Sequence, residues 1–355
     1  MPVYSYNMKG ERIADYPYIQ DDCYYNGYVE DVADSQVVLS ICNGLWGYVR
    51  IETLNYEIEP IESSSTFQHI IYRRAQEERE PCRGILQDGA NLTNLASIPT
   101  VFDDNSDSSD REGDRLESHT TDRYLEFYCV VDRSKLFIRR QNETQLVRNI
   151  LIIMADVHSI YLEIGLHVYL VGLELWTEKD HARIGKTLPE TLREFQAYAS
   201  NQLLPHVNFD HSTLITTRGD HLGITSAEHY CQYNFASVSV IRSVGSLKSD
   251  ADQIAHVLGH SLGFFHDDLS QYCDCDCFQK PGSCIMRSDY STGACRRLSN
   301  CSRHVYYDLI RKPGKECLLN KPKKSGTGSA KMWWKRLRPR TPRMKHCGLR
   351  PFRRR

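Results

Sequence analysis

No stretch of the 355-residue chain approaches the ~20 consecutive apolar residues that a membrane-spanning helix requires, so these residues are read as crossing no bilayer. No secretory leader is expected within these residues either. Met1 is followed by Pro, Tyr, Ser, Tyr and Asn, without the charged-then-apolar pattern of a signal peptide. Acidic residues are absent from 321–355, which carries 14 Lys and Arg, whereas residues 1–320 hold 30 basic and 45 acidic residues. A near-neutral total therefore hides an acidic body and a basic tail. Basic charge alone attracts nucleic acid only non-specifically, so no nucleic-acid partner is expected. Large apolar side chains are scarce in 99–123, which is rich in Ser and Asp, and aliphatics are nearly absent from the tail. Neither segment can bury enough surface to offset the entropy of ordering, and both are expected to be disordered.

Cysteine, in contrast, is plentiful. Thirteen residues, with Cys273, Cys275 and Cys277 close to Cys284, imply an oxidising compartment and disulfides. Sequons at Asn91, Asn142 and Asn300 are glycosylation candidates and agree with a secretory or extracellular setting. Secretory chemistry without a leader leads to the expectation that this chain starts late.

Patterning divides the chain. Residues 1–75 read as short strands, with strand-like runs at 37–40 and 56–58 and turn signals at Asn43-Gly44 and Trp46-Gly47. Residues 124–132 form an extended β-branched and aromatic run. Leu146, Ile150, Ile153, Val157, Tyr161 and Ile164 recur at helical spacing. Strands are expected at 168–176, 213–217 and 237–241, and a further helix through Leu192, Phe195, Ala199 and Leu203. Alternating strands and helices point to an α/β sandwich. After His266 the chain reads as irregular and held by disulfides. Cys129, inside the first strand of the second block, is expected to be a buried free thiol.

Residues 256–267 (HVLGHSLGFFHD) carry the chemistry. On a helix, His256 and His260 present two imidazoles on one face. Gly263 lets the backbone turn so that His266 completes a three-histidine zinc site. Ser249 or Asp250 is the expected cap of this helix. Cys284-Ile285-Met286 follows as a candidate Met-turn. In this pattern the first histidine is followed by Glu, which takes a proton from the attacking water and passes it to the leaving amine. Here Val257 stands in that place and can do neither; beside Ile254, Leu258 and Leu262 it widens an apolar stripe. The tripeptide Arg218-Gly219-Asp220 falls at the end of an expected strand and is read as structural.

The zinc motif, the Met-turn and the flanking blocks 18–27 (YIQDDCYYNG), 39–47 (LSICNGLWG), 56–60 (YEIEP) and 67–72 (FQHIIY) together resemble the ADAM (disintegrin and metalloprotease) family, of the adamalysin branch of metzincins. The likeness is greatest to its testis-type members. It implies an α/β metzincin sandwich preceded by a mostly β partial prodomain: prodomain at 1–98, acidic linker at 99–123, metalloprotease domain at 124–320 and basic tail at 321–355.

It further implies zinc on His256, His260 and His266, with Met286 beneath them and Asp267 as a structural aspartate. Calcium is implied on Glu126, Asp210, the Cys317 carbonyl and Asn320, oxygen donors that suit a hard cation. Family disulfides would join Cys231 to Cys317 and link Cys273, Cys275 and Cys277 to Cys284 and Cys301. Cys295 leaves that local pairing open, and Cys23 with Cys42 is a further candidate pair. Cys82 sits where the family keeps a prodomain cysteine able to ligate zinc, although Arg83 replaces the usual glycine after it.

The resemblance also implies protein partners or peptide substrates at a cell surface and leaves the oligomeric state open. With Val257 in place, the expected function is a catalytically inactive zinc-endopeptidase domain acting through binding or adhesion. The alternatives are an active endopeptidase with an unconventional base, or a truncated product whose basic tail is read out of frame.

Overall fold

The computed structural model describes residues 1–17, 23–32, 35–52, 54–61, 64, 66–74, 85–86, 122–138, 142–226, 231, 236–275, 284–288 and 297–322. Most of the expected linker and tail, with Cys82, Cys277, Cys295 and Asn91, lies outside these residues.

The alternating strands and helices become layers around one mixed sheet. Its central strands are β9 (Arg123–Val131), β10 (Leu166–Leu175), β11 (His211–Thr216) and β13 (Val238–Arg242), all parallel, with β12 (Gly223–Ser226) antiparallel beside β13. Strand β9 shows why the pattern works. Phe127, Cys129 and Val131 face one core, while Tyr128 and Val130 face another. The first core is filled by α2 (Glu143–Leu162) and α4 (Leu247–Ser261). The second is filled by α3 (Leu188–Tyr198), which follows the short α1 (Arg133–Ile138) and α2 in sequence. The expected α/β sandwich is therefore the observed fold.

The helix starts are written in side chains. Asn142 Oδ1 accepts the Gln145 N–H at 2.7 Å at the head of α2, and Thr187 caps α3 just before Pro189. The α4 cap differs from expectation. It is Ser246 rather than Ser249 or Asp250, because Gly245 turns the chain at φ 86° and starts the helix at Leu247. Ser249 and Asp250 instead fall in the first turn, where Asp250 pairs with buried Lys135 at 2.9 Å.

Three other differences have local causes. Trp46-Gly47 is not a turn but the start of β5 (Trp46–Ile51). A Cβ on Gly47 would lie 2.1 Å from the Val38 carbonyl, so glycine serves close strand approach there. Strand β12 was not foreseen, since its four residues hold one aliphatic. The cysteine-rich region ends in a regular helix, α5 (Asn300–Arg311), capped by Ser299 and anchored by buried Tyr306 and Leu309.

The amino-terminal residues build a second sheet, fully antiparallel: β3 (Tyr24–Gly27), β4 (Ser35–Ser40), β5, β6 (Leu54–Pro60) and β7 (His69–Arg73). Their remaining strands join the large sheet. The hairpin of β1 (Val3–Tyr6) and β2 (Arg12–Asp15) adds to β10, and β8 (Ile85–Leu86) runs parallel to β12 at the opposite edge. The large sheet thus reads β2-β1-β10-β9-β11-β13-β12-β8. Among the described residues, no helix is long and apolar enough to cross a membrane.

Candidate metal centre

Helix α4 carries His256 and His260 one turn apart, and its end is shaped to bring in a third imidazole. Gly263 adopts φ 87°, donates to the His260 carbonyl at 3.0 Å, and lets Phe264 N–H return to Gly259 O at 2.9 Å. The chain then reverses and delivers His266. His260 Nε2 lies 3.0 Å from both His256 Nε2 and His266 Nε2. Three mutually facing nitrogens at this spacing make no sense as donors to one another. They converge on a point that a cation fits, and this triple is the one cluster of metal-ligating groups among the described residues.

The rear nitrogens fix the tautomers. His256 Nδ1 meets the Ile285 carbonyl at 2.7 Å and His260 Nδ1 meets the Phe264 carbonyl at 2.8 Å. Each Nδ1 therefore carries the proton and each Nε2 keeps its lone pair for a metal. Burial pushes His256 down to about 4 and His260 well below its ordinary value, and it lowers His266 as well, so the imidazoles are neutral at pH 7.

Met286 is fully buried under the site, and a Cβ on Gly259 would lie 2.4 Å from its sulfur. The helix glycine between the histidines is there to admit the Met-turn. Asp267 ties the turn to the rest: its N–H donates to the Met286 carbonyl at 2.9 Å and its carboxylate accepts from Ser299 Oγ at 2.5 Å. Burial raises that carboxyl to about 6.

Val257 is buried and packs against β12, where a Cβ on Gly223 would lie 2.6 Å from Val257 Cγ1. The two carboxylates that follow the third histidine are both committed, Asp267 to Ser299 and Asp268 to the Ser288 N–H and hydroxyl. The Gly223–Val257 contact escaped sequence reading because it joins two distant segments. So did Lys248 and Asp252, a buried ion pair continuing the i, i+4 stripe of His256 and His260 upstream, although its spacing was visible.

Of the four residues expected to hold calcium, two are directly linked. Asp210 Oδ2 accepts the Glu126 N–H at 2.8 Å, and Asp210 N–H donates to the Glu126 carbonyl at 2.7 Å. Burial, with the Glu126 charge added, pushes Asp210 up to about 7. A 3-10 turn (Glu316–Leu319) packs on β9, carrying Cys317, whose carbonyl accepts the Asn320 N–H at 3.3 Å.

Among the described residues four disulfides form: Cys23–Cys42, Cys231–Cys317, Cys273–Cys301 and Cys275–Cys284. They include Cys23–Cys42 and Cys231–Cys317 and link Cys273 and Cys275 to Cys301 and Cys284, while Cys277 and Cys295 lie outside the described residues. Cys129 is a buried free thiol. At the sequons, Asn142 spends its side-chain oxygen on the α2 cap. Asn300 is more engaged, accepting from the Asp274 N–H and donating to the Tyr272 carbonyl.

Arg218-Gly219-Asp220 is built into the scaffold. Arg218 pairs with fully buried Asp132 and with Asp180, and Asp220 Oδ1 accepts the Leu188 N–H at 2.9 Å at the head of α3. Asp220→Ala should accordingly cost about 1 kcal/mol of stability, the usual loss at a helix cap, measured by denaturant unfolding. An unchanged midpoint would remove the structural reading.

Comparison with known proteins agrees with this geometry. Residues 123–322 match the model of the reprolysin (M12B) family of zinc metalloproteases. The human disintegrin and metalloproteinase domain-containing protein 9 is 32% identical over 333 residues, 92% of this chain and 39% of that protein. The zinc metalloproteinase-disintegrin-like kaouthiagin-like protein of Naja atra is 29% identical over 89% of this chain and 52% of its own length. The chain thus spans about two fifths to half the length of these relatives. Among solved structures, metalloproteinase-II from Bacteroides fragilis aligns with a TM-score of 0.46 at 13% identity, covering 87% of this chain and 85% of that one. From the matched 200-residue span and the three-histidine geometry, the chain belongs to the reprolysin family of zinc metalloproteases, the adamalysin group that includes the disintegrin-and-metalloprotease proteins.

Proposed function

We propose that this chain is a zinc-binding peptidase-type domain that does not turn over peptides and acts through binding. The observation that carries the reading is Val257 at the place of the general base, in an otherwise complete site. His256, His260 and His266 would hold the ion through their Nε2 atoms. Zinc bound there supplies Lewis-acid polarisation of a peptide carbonyl. A substrate chain would lie along β12, whose neighbour Val257 offers it only methyl groups. No side chain at that place holds a proton or passes one to a leaving amine, and loss of a general base typically costs ~10²–10⁴ in rate. The zinc-loaded chain should therefore leave fluorogenic peptides uncut; cleavage that a chelator abolishes would overturn the reading and favour an unconventional base.

The prodomain reading of residues 1–98 is supported by β8, which lies on β12 three residues after Cys82. In this proposal Cys82 is a fourth ligand candidate for the ion. The four disulfides and the disintegrin-type relatives support a secretory or extracellular setting, with protein or peptide partners and glycans on sequons such as Asn91 and Asn142.

Calcium at Glu126, Asp210, Cys317 and Asn320 is part of the same proposal. Burial raises the pKa of Asp210, and to a lesser degree of half-buried Glu126, and a divalent cation would offset the cost of ionising them there. Millimolar calcium should raise the melting temperature of the intact chain, and Asp210→Asn should remove the rise. A rise of equal size in the variant would place the ion elsewhere.

A further inference from the structure

The outer face of α2 is not a surface. Asn149, Ile152 and Asp156, at i, i+3 and i+7, lie on the side of the helix that the five-stranded sheet covers, and Asp156 is fully buried. What meets them is polar and specific. Trp46 Nε1 donates to Asn149 Oδ1 at 2.9 Å, Gln36 Nε2 donates to Asp156 Oδ1 at 2.9 Å, and the Tyr48 hydroxyl donates to Asp156 Oδ2. A carboxylate sealed between α2 and the five-stranded sheet, with donors from that sheet, is a registered contact rather than incidental packing.

The same sheet reaches the metal helix. Glu57 Oε1 accepts the Leu247 N–H at 3.0 Å, in the first turn of α4, where four amide groups lack partners inside the helix. Arg74 holds Glu57 at 2.7 Å and donates to the Gly245 carbonyl at 2.8 Å. An anionic side chain at this end also suits the helix dipole. Further off, Tyr6 N–H donates to Thr177 Oγ1 at 3.0 Å, the Thr177 hydroxyl donates back to the Tyr6 carbonyl at 2.7 Å, and the Tyr6 hydroxyl donates to buried Glu174. Residues 1–86 thus grip the zinc domain at both sheet edges, along α2 and at the head of α4. Among the described residues no disulfide joins them to it.

We propose that residues 1–86 are a permanent subunit of the zinc domain and not a detachable module. A chain cut anywhere in 87–121 remains a two-piece complex, with Asp156 as the anchor on one side, Gln36 and Tyr48 on the other, and Glu57 still capping the metal helix. β8 then stays on β12 after the cut, so cleavage by itself does not open the cleft edge. The inference rests on the interface and is independent of whether zinc is bound or peptides are turned over.

The test uses the full chain with a specific protease site inserted in 99–121, in a Cys82→Ser background so that no covalent link through that residue holds the pieces. After complete cutting, both pieces should co-elute in size exclusion at micromolar concentration. Separation of the cut chain under native conditions would overturn the proposal. Gln36→Leu combined with Tyr48→Phe removes two donors from a buried carboxylate and should weaken association by ~100-fold or more. A double variant that associates as tightly as the parent would show that Asp156 is not the anchor. Should the double variant fail to fold uncut, amide exchange on the parent decides: α2 protection equal before and after cutting supports the complex, and its loss after cutting refutes it.

Discussion

His260→Ala should leave the chain without bound zinc after gel filtration, the largest single-residue effect expected here. His260 is the middle ligand: its Nε2 is the one 3.0 Å from both other imidazoles, so its removal leaves His256 and His266 facing a gap. Losing an outer partner of a metal ligand already costs 10–100-fold in affinity, and losing the ligand itself should cost more than ~100-fold. The fold should survive, because His260 Nδ1 bonds only the neighbouring Phe264 carbonyl and the core around α4 is apolar. Metal analysis with near-UV circular dichroism separates the two outcomes. A folded variant retaining one zinc per chain would mean that the three histidines are not the site.

Val257→Glu should have the opposite sign, creating chelator-sensitive peptide cleavage where the parent has none. A carboxylate at 257 would supply the missing proton acceptor and raise the rate by ~10²–10⁴. Val257 Cγ1 already fills the space at Gly223, so the longer side chain has to leave β12 and turn toward the imidazoles. β8 lies on the strand a substrate would use, so the variant is best assayed together with Ile85→Pro, which deprives β8 of a backbone donor. If the double variant keeps its zinc and its fold yet cleaves nothing, residue 257 is not what silences the site.

The metal centre was legible because its information is local. Two histidines at i and i+4, a glycine stop and a third histidine six residues on dictate their own geometry, and Val257 is visible inside the same run. Strand β9 and helix α2 were legible for the same reason, each having a clean period over nine residues or more. What stayed hidden was pairing. Nothing in the short runs at 3–6 or 85–86 says which edge of which sheet they join, since a strand's hydrogen bonds go to backbone that any sequence supplies. The Ser246 cap was missed because Ser249 and Asp250 are equally good capping residues, and only Gly245 and the Glu57 contact choose between them. Of the disulfide pairings, only Cys23 with Cys42 was read from the residues themselves; the others came from family resemblance.

The parallel pairing of β1 with β10 sets a schedule for the ribosome. Tyr6 bonds Thr177 across 171 positions of sequence, so β1 waits for a length of nearly half this chain before its neighbour exists. At roughly 5–20 residues per second that delay is on the order of ten to thirty seconds, during which the β1–β2 hairpin emerges as an open edge with nowhere to dock. Such edges recruit other nascent chains. Pauses in translation before residue 166 should therefore lower the yield of folded chain far more than pauses after residue 177.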